Sequence, residues 1–249
     1  MKDSTYNFLA SLGDLFLWGG TLVGEENLPK QGPAVFVVNH LDSLAPIATF
    51  CSIPLRLRIW IEAKMINKQK AVDYLQWDLF EHQLHLKPPL SHWFSQVLTK
   101  ITVPMLSSFD FIPVYNKSFG SFQTTLDLTL EALRKGDYVA IFPEERRPPS
   151  VPDPETKMYP FRRSFARVGE PYFKATGKNL QFYPVSVHPS GFVEVGKPVT
   201  YNQNVGGTDE LDRIKDIMEH DIHTMYLKMS ETGATGKRSV FKRRPVWTE

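Results

Sequence analysis

The chain of 249 residues contains one cysteine, Cys51, which excludes a disulfide framework and any cysteine-rich zinc module and fits a reducing compartment. It has no run of about 18 uninterrupted apolar residues, so no simple membrane-spanning helix is expected. The most apolar window, Phe8 to Val23, is broken by Gly13, Asp14, Gly19 and Gly20. A secretory signal is not expected there either, because Lys2 is followed at once by Asp3 and no small-residue cleavage site comes after the apolar part. No excess of one charge exists: 29 Lys and Arg against 27 Asp and Glu leave a formal net charge of +2, which excludes a nucleic-acid polycation. With 19 prolines and 15 glycines the chain is neither fibrous nor disordered. What remains is an ordinary globular composition, of a length that suits one large domain or one domain with a small appendage.

Periodicity supplies the organisation. Phe8, Leu12, Leu15 and Phe16 fall at helical spacing, and residues 1–25 are expected to form an amphipathic helical segment able to lie in a membrane interface. Ala34 to Val38 is an apolar, β-branched run ending at Asn39-His40, which reads as a buried strand. Ile47 to Ile53 can be helical, and Arg56 to Ile61 alternates like a half-buried strand. Residues 63–105 carry many Leu, Trp and His around a turn at Lys87-Pro88-Pro89 and are expected to form two or three helices. Phe109 to Val114 is a strand candidate. A helix should follow over about Ser118 to Lys135, with Phe122, Leu126, Leu130 and Leu133 on one face and Gly136 ending it.

Tyr138 to Phe142 is a second buried strand, leading into Pro143-Glu144-Glu145-Arg146-Arg147. Five prolines within residues 148–160 make a surface loop. Phe161 to Thr176 is expected to be helical, Gln181 to Val187 and Phe192 to Val195 to be strands. Thr208 is the expected cap of a last helix carrying Leu211, Ile214, Met218, Ile222, Met225 and Met229. Strands alternating with helices give an α/β fold, a twisted mixed β-sheet flanked by helices. The domain should span residues 26–232, with a basic tail over residues 233–249.

Two strands end in polar clusters, Asn39-His40-Leu41-Asp42-Ser43 and Pro143-Glu144-Glu145-Arg146-Arg147. Strand ends of this kind form the open rim where α/β folds bind ligands. A histidine there with a nearby carboxylate can act as a general base, and arginines can hold a phosphorylated group through their planar forks. Other candidates carry less. His82, His85 and His92, and His220 with His223, lack the further ligands of a metal site, so no metal is expected. Ser43 lacks the Gly-x-Ser-x-Gly setting of a hydrolase nucleophile, and Cys51 reads as a packed side chain. Arg162 and Arg163 either contact a phosphate or face water. The tail residues Lys237, Arg238, Lys242, Arg243 and Arg244 either meet anionic lipid or are simply solvated. These basic residues are split along the chain without a binding motif, so no nucleic-acid partner is expected.

The order of the blocks adds a resemblance. Gly24-Glu25-Glu26-Asn27-Leu28-Pro29, Gly32 to His40, Phe111-Ile112-Pro113-Val114-Tyr115, Leu133 to Glu144 and Phe182 to Val187 follow one another as in the glycerolipid acyltransferase family, the PlsC-like lysophospholipid acyltransferases. The chain resembles that family over roughly residues 22–200. By that resemblance His40 is the base that takes the proton from an acceptor hydroxyl, which attacks an acyl thioester. The family's aspartate falls on Ala45, so the imidazole is oriented either by Asp42 or by a carboxylate from elsewhere. Where the family's second motif ends in arginine, this chain has Asn116 with Lys117 beside it. In the third motif Glu144 and Arg147 match, while Glu145 replaces a glycine.

The resemblance thus implies transfer of an acyl group from acyl-CoA or acyl carrier protein to a lysophospholipid or glycerol-phosphate-type acceptor in phospholipid biosynthesis. The site would be catalytic His40 and Asp42, with Asn39, Ser43, Lys117, Glu144, Glu145, Arg146 and Arg147 binding substrate. No cofactor is required, since the thioester carries the activated group. The protein would sit on the cytoplasmic side of a membrane, peripheral or monotopic, with residues 63–105 walling an acyl channel. The alternative is a family member that binds lipid or acyl thioester without turnover.

Overall fold

The computed structural model describes residues 3–41, 44–115 and 119–236. Their elements, in chain order, are α1 (Asp3–Gly13), β1 (Thr21–Val23), β2 (Ala34–Val38), α2 (Leu44–Ser52), β3 (Leu57–Glu62), α3 (Lys68–Leu75), α4 (Leu90–Ser108), β4 (Ile112–Val114) and α5 (Phe119–Arg134). They continue with β5 (Tyr138–Ile141), α6 (Gly169–Thr176), β6 (Gln181–Val187), β7 (Phe192–Val195), β8 (Val199–Thr200) and α7 (Gly207–Thr232). Short π-helical stretches follow α1, at Asp14–Trp18, and α3, at Gln76–Gln83. These elements form two compact units, Arg58–Leu128 and the remainder.

The larger unit holds a mixed sheet in the order β1-β7-β6-β2-β5, with β8 beside β6. β2 lies at its heart, parallel to both β5 and β6. All five of its residues, Ala-Val-Phe-Val-Val, are fully buried, as expected of a strand covered on both faces. β6 turns antiparallel to β7, which pairs in parallel with β1. The sheet is therefore mixed, as the alternation of strands and helices led one to expect.

Helix α7 covers the sheet with Ile214, Met218 and Ile222, all fully buried, and with Met225 and Met229. Burying side chains of this size stabilises by roughly 1.5–3 kcal/mol each. Thr208 does not cap this helix: Gly206 holds the cap position and Thr208 lies one residue inside. Glu210, in the first turn, is fully buried because it takes the Asn202 N–H at 2.7 Å and pairs with Arg213 at 2.6 Å. Helix α5 ends as expected, with Gly136 at φ 87 and its N–H on Leu133 C=O at 3.0 Å. The buried line of α5 passes through Thr125, Thr129, Ala132 and Leu133, which leaves Phe122, Leu126 and Leu130 only partly covered.

The N-terminal segment begins with the expected helix. Helix α1 docks through Tyr6 and Ala10, the Tyr6 hydroxyl accepting the Leu57 N–H at 3.1 Å and its ring meeting Phe50 edge-on. Phe8 and Phe16, 62 % and 74 % exposed, point outward. The segment is not helical throughout, since Thr21–Val23 is a sheet strand. Cys51 is packed as expected, and burial, with Asp14 nearby, raises its thiol to about 12.

The smaller unit pairs β3 with β4 in parallel, Trp60 opposite Ile112, and packs the Trp60 ring edge-on to Phe122. Asn67 caps α3 by accepting from the Gln69 and Lys70 N–H groups. Residues 63–105 are helical as anticipated, α3 packing against α4. Among the described residues no helix is long and apolar enough to cross a membrane. The basic residues of the tail, from Lys237 on, lie outside the described residues.

Two outcomes follow for stability and reactivity. Ile222→Ala should lower the unfolding free energy by about 2–4 kcal/mol in chemical denaturation, whereas Phe8→Ser should change it by less than about 0.5 kcal/mol. Cys51 should resist thiol reagents at neutral pH in the native protein and react at once on unfolding.

Candidate active site

The register of two parallel strands builds the rim. β2 and β5 align Ala34 with Tyr138 and Val37 with Ile141, and three more steps bring His40 opposite Glu144. The contact is made there: the His40 backbone N–H donates to Glu144 Oε1 at 2.6 Å. Glu144 Oε2 accepts the Tyr159 N–H at 3.3 Å, and Arg146 Nε lies 3.8 Å from the same oxygen. The Glu144 side chain is 1 % exposed, a burial that a carboxylate tolerates only with such donors around it.

Arg146 completes the hold from the other side. It donates to the His40 carbonyl at 2.8 Å, and its guanidinium lies over the Tyr159 ring at 5.6 Å. The N–H and C=O of His40 are thus both occupied by side chains from the end of β5. The imidazole meets the Phe142 ring edge-on at 5.4 Å, and its Nδ1 is shielded from solvent. Asn39, fully buried, turns its amide the other way. It donates to the Val187 C=O at 3.0 Å and accepts the Val187 N–H at 2.7 Å, tying the end of β2 to β6.

Glu145, at the position where the resemblance puts glycine, is drawn aside by an ion pair with Arg162 and by Arg147 at 3.4 Å. Desolvation pulls the Arg162 guanidinium somewhat below its ordinary pKa. Among the described residues the side chains of Arg146, Arg147 and Arg162 are more exposed than those of Glu144 and Glu145, so the arginines form the outer surface of this rim. Arg147, with a side chain 61 % exposed, reaches furthest into solvent. Backbone bonds from Glu145 N–H to Pro160 C=O and from Arg162 N–H to Pro143 C=O, both 2.9 Å, close the proline-rich loop. The Phe161 N–H on Glu219 at 2.9 Å anchors its end to α7. Arg163 pairs with Asp212 at 2.7 Å.

His40, Glu144, Glu145, Arg146 and Arg147 are therefore brought together, with Asn39 adjoining. Asn39 and Glu144, expected on substrate, spend their polar atoms on the backbone of β6 and of His40. Ala45 is fully buried in α2. Asp42, Ser43 and Lys117 lie outside the described residues. Tyr159 and Glu219 join the cluster without having been singled out in the sequence, while Arg162, weighed there as a phosphate contact or a solvated side chain, pairs with Glu145. No local signal marks Tyr159, whose bond to Glu144 spans fifteen residues of proline-rich loop. No group of His, Cys, Asp and Glu among the described residues is arranged to hold a metal ion.

No protein-family model matches the chain, and no curated protein matches it. Among solved structures, the crystal structure of the 1-acyl-sn-glycerophosphate (LPA) acyltransferase PlsC from Thermotoga maritima is similar, with a TM-score of 0.55 and 13 % identity. The likeness covers 90 % of this chain and 83 % of that one. It establishes the fold: a mixed sheet flanked by helices of the PlsC kind.

The buried bonds predict a steep cost at two positions. Asn39→Ala leaves Val187 N–H and C=O unpaired at a dry strand end and should cost about 2–4 kcal/mol of stability by chemical denaturation. Glu144→Ala should cost a similar amount, about 3 kcal/mol, since it strands the His40 N–H and the nearby Arg146.

Proposed function

We propose that this chain is an acyltransferase, moving a fatty acyl group from acyl-CoA or acyl carrier protein to a hydroxyl of a lysophospholipid or glycerol-phosphate-type acceptor. The observation that carries the reading is the two-sided hold on His40 by Glu144 and Arg146, at a strand-end rim whose outer surface is lined by arginines. A PlsC-like fold around that rim supports it. The His40 imidazole takes the acceptor's hydroxyl proton as the oxygen attacks the thioester carbonyl. The tetrahedral adduct collapses with cleavage of the C–S bond, and the imidazolium returns its proton to the departing thiolate. Asp42 is our candidate to orient the ring. No metal or bound cofactor enters this scheme, because the thioester is already activated.

Holding the His40 backbone from both faces restricts where the ring can travel, which is the part of catalysis that positioning supplies. Glu144 and Asn39 act in this reading as positioning residues. Arg147, the most exposed of the three arginines although it also meets Glu145 at 3.4 Å, is with Lys117 the candidate for the acceptor phosphate, since Arg146 is committed to His40. The outward Phe8 and Phe16 of the N-terminal segment support a place on the cytoplasmic face of a membrane, where such acceptors reside.

Ala45 favours a second reading. It is buried in α2, where the resembled family has the aspartate that orients the base. A chain lacking that carboxylate can bind lipid or acyl thioester without turning it over.

Acyl transfer by wild type and by His40→Ala separates the two, with glycerol-3-phosphate, lysophosphatidate and other lysolipids as acceptors. Ester formation that His40→Ala lowers by on the order of 10²–10⁴ establishes the enzyme. Arg147→Ala should then raise KM for phosphorylated acceptors with a smaller change in kcat. Ester formation from no pair, with acyl-CoA or lysolipid still bound, establishes the second reading.

A further inference from the structure

Helix α4 is built the wrong way round for water. Its covered line is Ser91, Ser95, Thr99 and Val103, at intervals of four, each 6 % exposed or less. The first three are small hydroxyl residues, and two of them satisfy their hydroxyls within the helix. Ser95 donates to Ser91 C=O and Thr99 to Ser95 C=O, both at 2.7 Å. The outer stripe is Leu90, Trp93, Phe94, Val97 and Ile101, spaced 3, 1, 3 and 4 apart and 41–64 % exposed. Trp77 and Leu84, in the preceding segment, are also more than half exposed. A helix on a water-soluble core shows the opposite polarity, as α7 does with Ile214, Met218 and Ile222 inward. Small residues inward and large apolar ones outward is how helices are arranged when their outer solvent is lipid.

The charges select the occupant. Helix α4 itself carries no acidic residue, and the neighbouring Glu81 carboxylate is engaged by Ser91 on the covered line and by Gln76, whereas Lys87 precedes the outer stripe and Lys100 lies within its span. A second copy seated symmetrically on this face would find no carboxylates along the helix to pair with those lysines. Anionic phospholipid headgroups supply the missing charge, and the acyl region beneath accepts the apolar stripe. We infer that α4 lies in the plane of an anionic phospholipid bilayer and is a docking surface of this protein, with Trp93, Val97 and Ile101 entering the acyl boundary. The inference deepens the membrane placement proposed above and is independent of acyl transfer.

The test uses the full chain and vesicles of phosphatidylcholine mixed with phosphatidylglycerol, without acyl donor or acceptor. Wild type should co-sediment with these vesicles. The triple variant Trp93→Ser, Val97→Ser, Ile101→Ser should bind on the order of a hundredfold more weakly. Its circular dichroism and melting temperature should match wild type, since these side chains are exposed. A fluorophore on Ile101→Cys, selective because Cys51 is buried, should shift to the blue on vesicle binding. Binding retained by the triple variant but lost by Phe8→Ser with Phe16→Ser would overturn the inference, leaving the N-terminal segment as the anchor. A lipid-free dimer that the triple variant dissolves would also overturn it, making the stripe a self-association face. Because no substrate is present, an inactive enzyme leaves every arm readable.

Discussion

The rim depends on one register. β2 is buried along its whole length, so its backbone groups have no water to turn to and must pair with β5 and β6. That pairing leaves no freedom to slide. A one-residue slip would turn every side chain of the strand to the opposite face and part His40 from Glu144. The bond between them follows from the alignment that also satisfies the core. Glu144 in turn needs donors because its carboxylate is buried, and the His40 N–H, the Tyr159 N–H and Arg146 are the groups that meet it. Compensating the buried charge and holding the histidine are the same set of contacts.

Electrostatics at this strand end are divided between inner and outer residues. Glu144 and Arg146 face the backbone of His40, while Glu145, Arg147 and Arg162 form an outer group closer to solvent. A glutamate in a turn at a strand end lined by arginines places a negative charge among them. Here two guanidinium groups draw Glu145 aside, so the bulkier residue is accommodated with the arginines still outermost. The closed ends of the proline-rich loop supply one of those groups, Arg162. A loop that looks like a surface connection by composition thus contributes charge and, through Tyr159, a ring beneath Arg146.

The two long helices of the chain show opposite polarity for a physical reason. α7 exchanges water for a protein core along its methionine and isoleucine stripe, and the hydrophobic effect drives the large side chains inward. α4 meets its neighbour through serines and a threonine, which permit close backbone approach but bury little apolar area. Its large side chains gain nothing unless something other than water covers them. The outward Phe8 and Phe16 of the N-terminal segment follow the same logic, their helix being held instead by Tyr6 and Ala10.

Local pattern was enough for much of this. The β-branched run at Ala34–Val38, the terminating Gly136, the apolar spacing of α7 and the polar clusters at two strand ends all arise from neighbours in sequence, which is why they are legible there. Composition likewise excluded disulfides and a polycationic surface. The direction of each apolar stripe was not legible, because periodicity says that a face exists and not which solvent it meets. Thr208 read as the cap of the last helix, a position that Gly206 in fact holds. The roles of Asn39 and Glu144 were equally hidden, since their partners stand 148 and 104 residues away. By itself the sequence determined which elements form and which chemical groups stand at their ends. Only the tertiary structure decided which of those groups are consumed in holding the chain and which remain for a ligand, because hydrogen bonds and ion pairs form between neighbours in space.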